Sequence, residues 1–169
     1  MSCSFNFGFF LSNQGLIYAL GKDNSEGQLG LGHTFSRDVP ELISSLRDIG
    51  EKIDTIECGY KHAIAKSTLG RVYTWGWGGK GQLGHGHNDS EMSPRLLSLE
   101  KSGQKEKVIQ VAAGFSHSVI MLETSRELYW FGTCGHYASA LMLRPTLIRL
   151  HEHMPDLFTD PSTLTFISG

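Results

Sequence analysis

Cysteine is scarce in this chain, and what there is forms no framework. The 3 cysteines among 169 residues are odd in number and widely spaced, which excludes a disulfide-stapled secreted domain and points to a reducing compartment. Long apolar runs are missing too: no stretch approaches the roughly 20 residues a membrane-spanning helix needs. The N-terminus has no basic stretch ahead of an apolar one, so no secretory leader is expected. Charge of one sign is also lacking. Lys and Arg number 15 against 17 Asp and Glu, a net charge of −2, and no basic run exceeds a local cluster. General attraction to nucleic acid is therefore not predicted for this portion. Amphipathic helices are absent from the pattern, apart from one short turn over Leu42–Asp48. Together these absences set the expectation of an intracellular chain that is not inserted in a membrane.

Glycine, by contrast, is plentiful and ordered. The stretch from Val72 to Gly86, VYTWGWGGKGQLGHG, is an apolar strand followed by a turn, with six glycines in all. The pattern recurs. Gly21, Gly76 and Gly132 lie 55 and 56 residues apart, each closing an apolar strand: IYALG, VYTWG and LYWFG. Gly59 and Gly114, 55 apart, open GYKHAIAK and GFSHSVIM, and Gly169 lies another 55 beyond. The N-terminal MSCSFNFGFFLSNQG falls on IECGYKHAIAKSTLG at the same offset. A fixed period of this size marks a propeller, solenoid or array, because one such unit cannot bury its own apolar face.

Units of about 1–55, 56–110 and 111–165 follow, with 166–169 starting a further one. Each reads as four antiparallel strands. In the middle unit they are Ile53–Glu57, His62–Lys66, Arg71–Trp75 and Arg95–Leu99; in the third, Lys107–Ala112, Ser116–Met121, Glu127–Phe131 and Thr146–Leu150. Strand alternation puts the hairpins Ser12–Gly15, Ser67–Gly70 and Glu123–Arg126 at one end, with the polar linker 101–106. The Gly-Tyr-Lys-His and Gly-Phe-Ser-His corners and the long glycine-rich loops fall at the other.

GKDNSEGQLGLG and GWGGKGQLGHG each follow an aromatic strand and precede a Pro-aliphatic segment, Val39-Pro40-Glu41-Leu42-Ile43 in the first unit and Pro94-Arg95-Leu96-Leu97 in the second. These stretches resemble regulator of chromosome condensation repeats. The third unit departs from the pattern, since Gly132-Thr133-Cys134-Gly135 is followed by no Gly-Gln-Leu-Gly. The resemblance implies an all-β fold, with about three four-stranded blades of a seven-bladed β-propeller. Three blades leave two open flanks, so the chain reads as a portion of a longer protein and is not expected to be a stable monomer. The resemblance also implies a protein-interaction platform, or scaffold, in the cytoplasm, at the cytoskeleton or cilium, or in the nucleus. Guanine-nucleotide exchange on a small GTPase and chromatin docking are the alternatives it carries; no inserted β-wedge of the exchanging type stands between these strands.

Other motifs have a plainer reading. Gly76-Trp77-Gly78-Gly79-Lys80-Gly81 satisfies GxGxxG, but no helix follows and no Lys-Ser/Thr ending makes it a P-loop. The pairs Cys58 and His62, Cys134 and His136, His85 and His87, and His151 and His153 lack partner pairs at zinc spacing. No metal, cofactor or catalytic residue is therefore assigned. Gly21, Gly59, Gly76, Gly81, Gly84, Gly114 and Gly132 read as structural, as do the repeat-equivalent His62 and His117. The candidate partner-binding residues are Lys22, Asp23, Asn24 and Glu26 in one loop and Trp77, Lys80, His85 and His87 in the next. They are expected side by side as a polar rim around a Trp77 anchor.

Overall fold

The computed structural model describes residues 1–99, 106–133 and 141–148. Twelve strands and one short helix occur among them. The first sheet holds β1 (Ser2–Cys3), β2 (Phe7–Leu11), β3 (Ile17–Gly21) and β4 (Arg37–Leu42). After α1 (Ser44–Asp48) come β5 (Ile53–Cys58), β6 (His62–Ser67), β7 (Val72–Gly76) and β8 (Glu91–Leu96). The third sheet holds β9 (Val108–Ala113), β10 (His117–Leu122), β11 (Leu128–Gly132) and β12 (Met142–Ile148). Each sheet is an antiparallel meander in which every strand pairs with its chain neighbours. The chain is nearly all β, in three four-stranded sheets that match the blades of a partial β-propeller.

Burial follows from the stacking of the sheets. Every residue of β6 and β7 is buried, because the middle sheet is covered on both faces. One face contributes Ala63, Ala65, Tyr73 and Trp75 to a core shared with Phe7, Phe9, Ile17 and Ala19 of the first sheet. The other sends Ile64 and Val72 into a core with Val111, Ile120 and Phe131 of the third. The first strands of successive sheets touch, β1 with β5 and β5 with β9, so the inner edges converge. The outer edges are β4, β8 and β12, and each contains a proline: Pro40, Pro94 and Pro145. An edge strand tolerates proline because its outward N–H has no ladder partner to lose.

That tolerance explains one correction. From the sequence the fourth strands are expected to start after proline, at Arg95 and Thr146. They run through it instead, from Glu91 and Met142, since Gly76 pairs with Glu91 across a bulge, as Gly132 does with Met142. The unit limits also shift. The boundaries at 55/56 and 110/111 cut β5 and β9, and the sheets span 2–42, 53–96 and 108–148; a repeat period has no phase of its own. Residues 166–169, assigned to a further unit, lie outside the described residues. The turn expected over Leu42–Asp48 is α1, which buries Leu46, at 3% exposure, in the core between the first and second sheets.

A docking face at the glycine-rich end

Each glycine-rich loop is laid down on the sheet that follows. Gln28, Leu29, Gln82 and Leu83 of the two Gly-Gln-Leu-Gly stretches are at most 1% exposed. Their side-chain oxygens brace the loop locally, Gln28 Oε1 accepting from the Glu26 N–H and Gln82 Oε1 from the Lys80 N–H, both at 2.9 Å. The backbone carbonyl of each glutamine is buried in the next sheet and needs a donor there. For Gln28 the donor is Trp75 Nε1–H at 3.0 Å. For Gln82 it is the Ser118 hydroxyl at 2.9 Å, since Phe131 stands where Trp75 does and has no N–H to offer. A serine hydroxyl has one proton, so His62 Nε2, 3.0 Å from Ser118 Oγ, donates to it. Burial above all holds the His62 pKa down to about 3, which keeps the ring neutral in this inter-sheet relay. Ser118→Ala should leave two buried polar groups unpaired and cost about 1–3 kcal/mol, with no change in partner binding; a urea melt showing wild-type stability would contradict the relay.

The eight candidate binding residues are only partly brought together. Asn24 is withdrawn from the surface, at 2% exposure. Its amide donates to the carbonyls of His33 and Phe35, at 2.8 and 2.9 Å, and its Oδ1 accepts from the Leu29 N–H at 2.9 Å. It pins the loop and is not available to a partner. Asp23 pairs with Lys61 of the neighbouring corner at 3.1 Å. Burial acts to raise its carboxyl, but hydrogen bonds from Ser25 and the Lys61 ammonium prevail and hold its pKa at about 2. Glu26 accepts from Ser90 of the next loop at 2.9 Å, so the two loops do touch. Lys22 and Lys80 are exposed.

Trp77 is half-buried, its ring lying over Gly79, where an added Cβ would come within 2.6 Å of Nε1. His85 bonds the buried Thr74 hydroxyl at 2.9 Å, and burial, helped by Arg95, lowers its pKa to about 4. His87 meets Arg95 at 3.0 Å, and Arg95 pairs with Glu91. The same trio recurs one sheet earlier as His33, Arg37 and Glu41, with the cation and carboxylate exchanged. These histidines brace the outer strands.

Two sequence models of the regulator of chromosome condensation (RCC1) repeat match the chain, one over residues 14–65 and 70–121 and the other over residues 53–82. The chain belongs to the RCC1 repeat family. A relative from Mus musculus named "Probable E3 ubiquitin-protein ligase HERC4" is 41% identical over 128 residues, covering 76% of this chain and 12% of the relative. The chain thus spans about an eighth of that protein. Among solved structures, human WBSCR16 superposes with a TM-score of 0.71 at 24% identity, covering 86% of this chain and 38% of that one. Prp20p from Saccharomyces cerevisiae, described by its binding properties to Gsp1p and histones, gives 0.63 at 20% identity over 86% and 37%. Both structures show the shared fold.

The RCC1 repeats also expose aromatic residues outside the eight candidates. Phe5, Tyr60 and Phe115 occupy one position, 55 residues apart, in the corner between the first two strands of each sheet. They are 92%, 39% and 65% exposed. Tyr60 and Phe115 stack at 4.3 Å between ring centroids and 11° between planes. Beneath them the Tyr60 N–H donates to the Phe115 carbonyl at 3.2 Å, and the Ser4 hydroxyl to the Tyr60 carbonyl, also at 3.2 Å. Lys22, Trp77 and Thr133 adjoin the row, their N–H groups bonding the corner carbonyls of Asn6, Lys61 and Ser116. An aromatic recurring with the glycine period, beside strands already supplied with core, was the available signal.

The corner glycines sit against histidine rings. A Cβ on Gly59 would fall 2.0 Å from the His62 ring, and one on Gly114 2.2 Å from that of His117. The two histidines then diverge: His62 reaches across to Ser118, whereas the half-buried His117 bonds the backbone of Thr133 in its own sheet.

Proposed function

We propose that this chain is a non-catalytic docking module, a protein-interaction platform within a larger RCC1-repeat protein. The observation that carries it is the row Phe5, Tyr60 and Phe115. Three equivalent corners each present an aromatic ring to solvent, although two apolar cores lie beneath. Large aromatics supply most of the binding energy at protein interfaces when a polar rim excludes water from around them. Lys22, the Asp23–Lys61 pair, Lys80 and half-buried Trp77 would form that rim. The similarity to HERC4 supports a place for this platform in a ubiquitin-ligase protein, holding a substrate or regulatory partner while the chemistry is done elsewhere in that protein. Cys58 suits no thiolate chemistry, since burial pushes its thiol up to about 12.

Partner capture from cell extract, quantified by mass spectrometry, tests this reading. Phe115→Ala should weaken the specific partner by about 2 kcal/mol or more, roughly 30-fold, while the melting curve stays near wild type because the ring is largely exposed. Leu69→Ala, on the hairpin end and 55% exposed, should leave binding unchanged. Equal loss in both variants, or loss in neither, would remove the aromatic row from the interface. Guanine-nucleotide exchange is the second reading, and nucleotide release from small GTPases with and without the chain measures it directly.

A further inference from the structure

The border of the aromatic row carries one sign of charge. The residues that follow the three rings in the chain are Asn6, Lys61 and Ser116, and those before them are a serine and two glycines. Across the corners lie Lys22, Trp77 and Thr133. No carboxylate stands among them, in a chain with 17 Asp and Glu against 15 Lys and Arg, and two of them are lysines. Asp23, the acid that follows Lys22, is already engaged. Lys61 Nζ lies 3.1 Å from its Oδ2, and the Ser25 hydroxyl donates to its Oδ1 at 2.8 Å. Lys22 itself is exposed and makes no ion pair among the described residues. Its N–H bonds the Asn6 carbonyl, so this free cation adjoins Phe5, the most exposed of the three rings at 92%.

The backbone of the corners is closed on itself. The Tyr60 N–H goes to the Phe115 carbonyl and the Ser4 hydroxyl to the Tyr60 carbonyl, while Gly59 and Gly114 donate to the carbonyls of His62 and His117. An occupant therefore meets rings and ammonium groups here, not a strand edge to extend. Tyr60 and Phe115 spend one ring face on each other, at 4.3 Å and 11°. A single-stranded nucleic acid uses free ring faces for its bases and a run of cations along its phosphates. Two lysines in a chain of net charge −2 supply no such run. An extended polypeptide suits the border better, because alternate side chains can rest on the rings and reach the lysines.

We propose that the row takes an extended acidic segment of a partner protein, its apolar side chains on Phe5, Tyr60 and Phe115 and a carboxylate on Lys22. The proposal rests on the docking reading above and adds the chemistry of the partner. Lys61 receives a second carboxylate only by leaving Asp23, so Lys22 carries the larger share of the charge recognition.

Selection from a random-peptide display library on the full 169-residue chain tests this, followed by fluorescence anisotropy of the selected peptides. The expected pool is rich in Asp and Glu beside aromatic or aliphatic residues, and its binding should weaken as salt rises from about 0.05 to 0.5 M. Lys22→Glu should weaken those peptides roughly tenfold, with the melting curve unchanged because the side chain is exposed. Peptides with Lys in place of Glu should then bind Lys22→Glu better than wild type, a gain that misfolding cannot produce. A labelled single-stranded oligonucleotide should not displace the peptides. A pool that Phe115→Ala leaves intact would overturn the row as the interface, and with it the docking reading. A pool lost in Phe115→Ala but neutral or basic in composition would overturn the acidic partner alone. So would an acidic pool indifferent to Lys22→Glu, displacement by the oligonucleotide, or a selection that enriches no peptide.

Discussion

Trp75→Ala is expected to destabilise the protein by about 3–5 kcal/mol, the usual cost of truncating a fully buried aromatic. The side chain is 0% exposed and does two separable jobs. Its ring packs edge-on to Phe9, at 5.6 Å and 80°, and covers the loop at Gly30, where even a Cβ would come within 2.7 Å of Nε1. Its N–H satisfies the Gln28 carbonyl. Trp75→Phe keeps most of the packing and deletes the donor, so it should cost about 1–3 kcal/mol, the price of one buried unpaired carbonyl.

The third sheet then supplies the rescue. It already combines a phenylalanine, Phe131, with a serine, Ser118, and the residue matching Ser118 in the second sheet is Ala63. Ala63→Ser should have little benefit alone but should recover stability in the Trp75→Phe background. Chemical denaturation of the four proteins gives the coupling energy. Additive effects would show that the Gln28 carbonyl is not the group the donor serves.

Gly76→Val should be nearly as severe, at about 3 kcal/mol. Gly76 has φ +94°, where a β-branched residue is strained by about 1–3 kcal/mol. Its Cβ would also lie 2.5 Å from the Lys61 carbonyl and 2.9 Å from His62 Cα, both backbone atoms held in the corner by the Trp77 N–H bond to Lys61. Gly50 separates the two effects. It shares a positive φ, +74°, but nothing lies within 4 Å of its would-be Cβ. Gly50→Ala should therefore show only the backbone strain, about 1–2 kcal/mol, and Gly76→Ala distinctly more. Equal thermal shifts for the two alanine variants would mean that close approach at Gly76 does not matter.

The repeat was legible because its signals are local. Alternating strands such as IYALG and VYTWG, hairpin glycines and a spacing of 55 residues act within a few positions of one another. They determined the three sheets, the antiparallel order and the sorting of loops to two ends. What a residue faces across the gap between sheets is not a local property. Asn24 reads as a rim residue in the sequence and is a buried pin, because its loop bends back over its own carbonyls. His62 and His117 are equivalent by period and differ in partner among the described residues: His62 has Ser118 of the next sheet beside it, and His117 bonds the backbone of Thr133.

The aromatic row escaped for the same reason. Phe5, Tyr60 and Phe115 look like further core residues until the sheets are stacked, and then their corners prove to lie outside both cores. Trp75 and Ser118 share no residue type, and only the placing of two buried glutamine carbonyls shows that they do the same work. The sequence by itself determined the period, the strands and the family. Which side chains are sealed between sheets and which are left to meet a partner was decided by the packing of one repeat on the next, since burial depends on neighbours about 55 residues away rather than on the pattern within a strand.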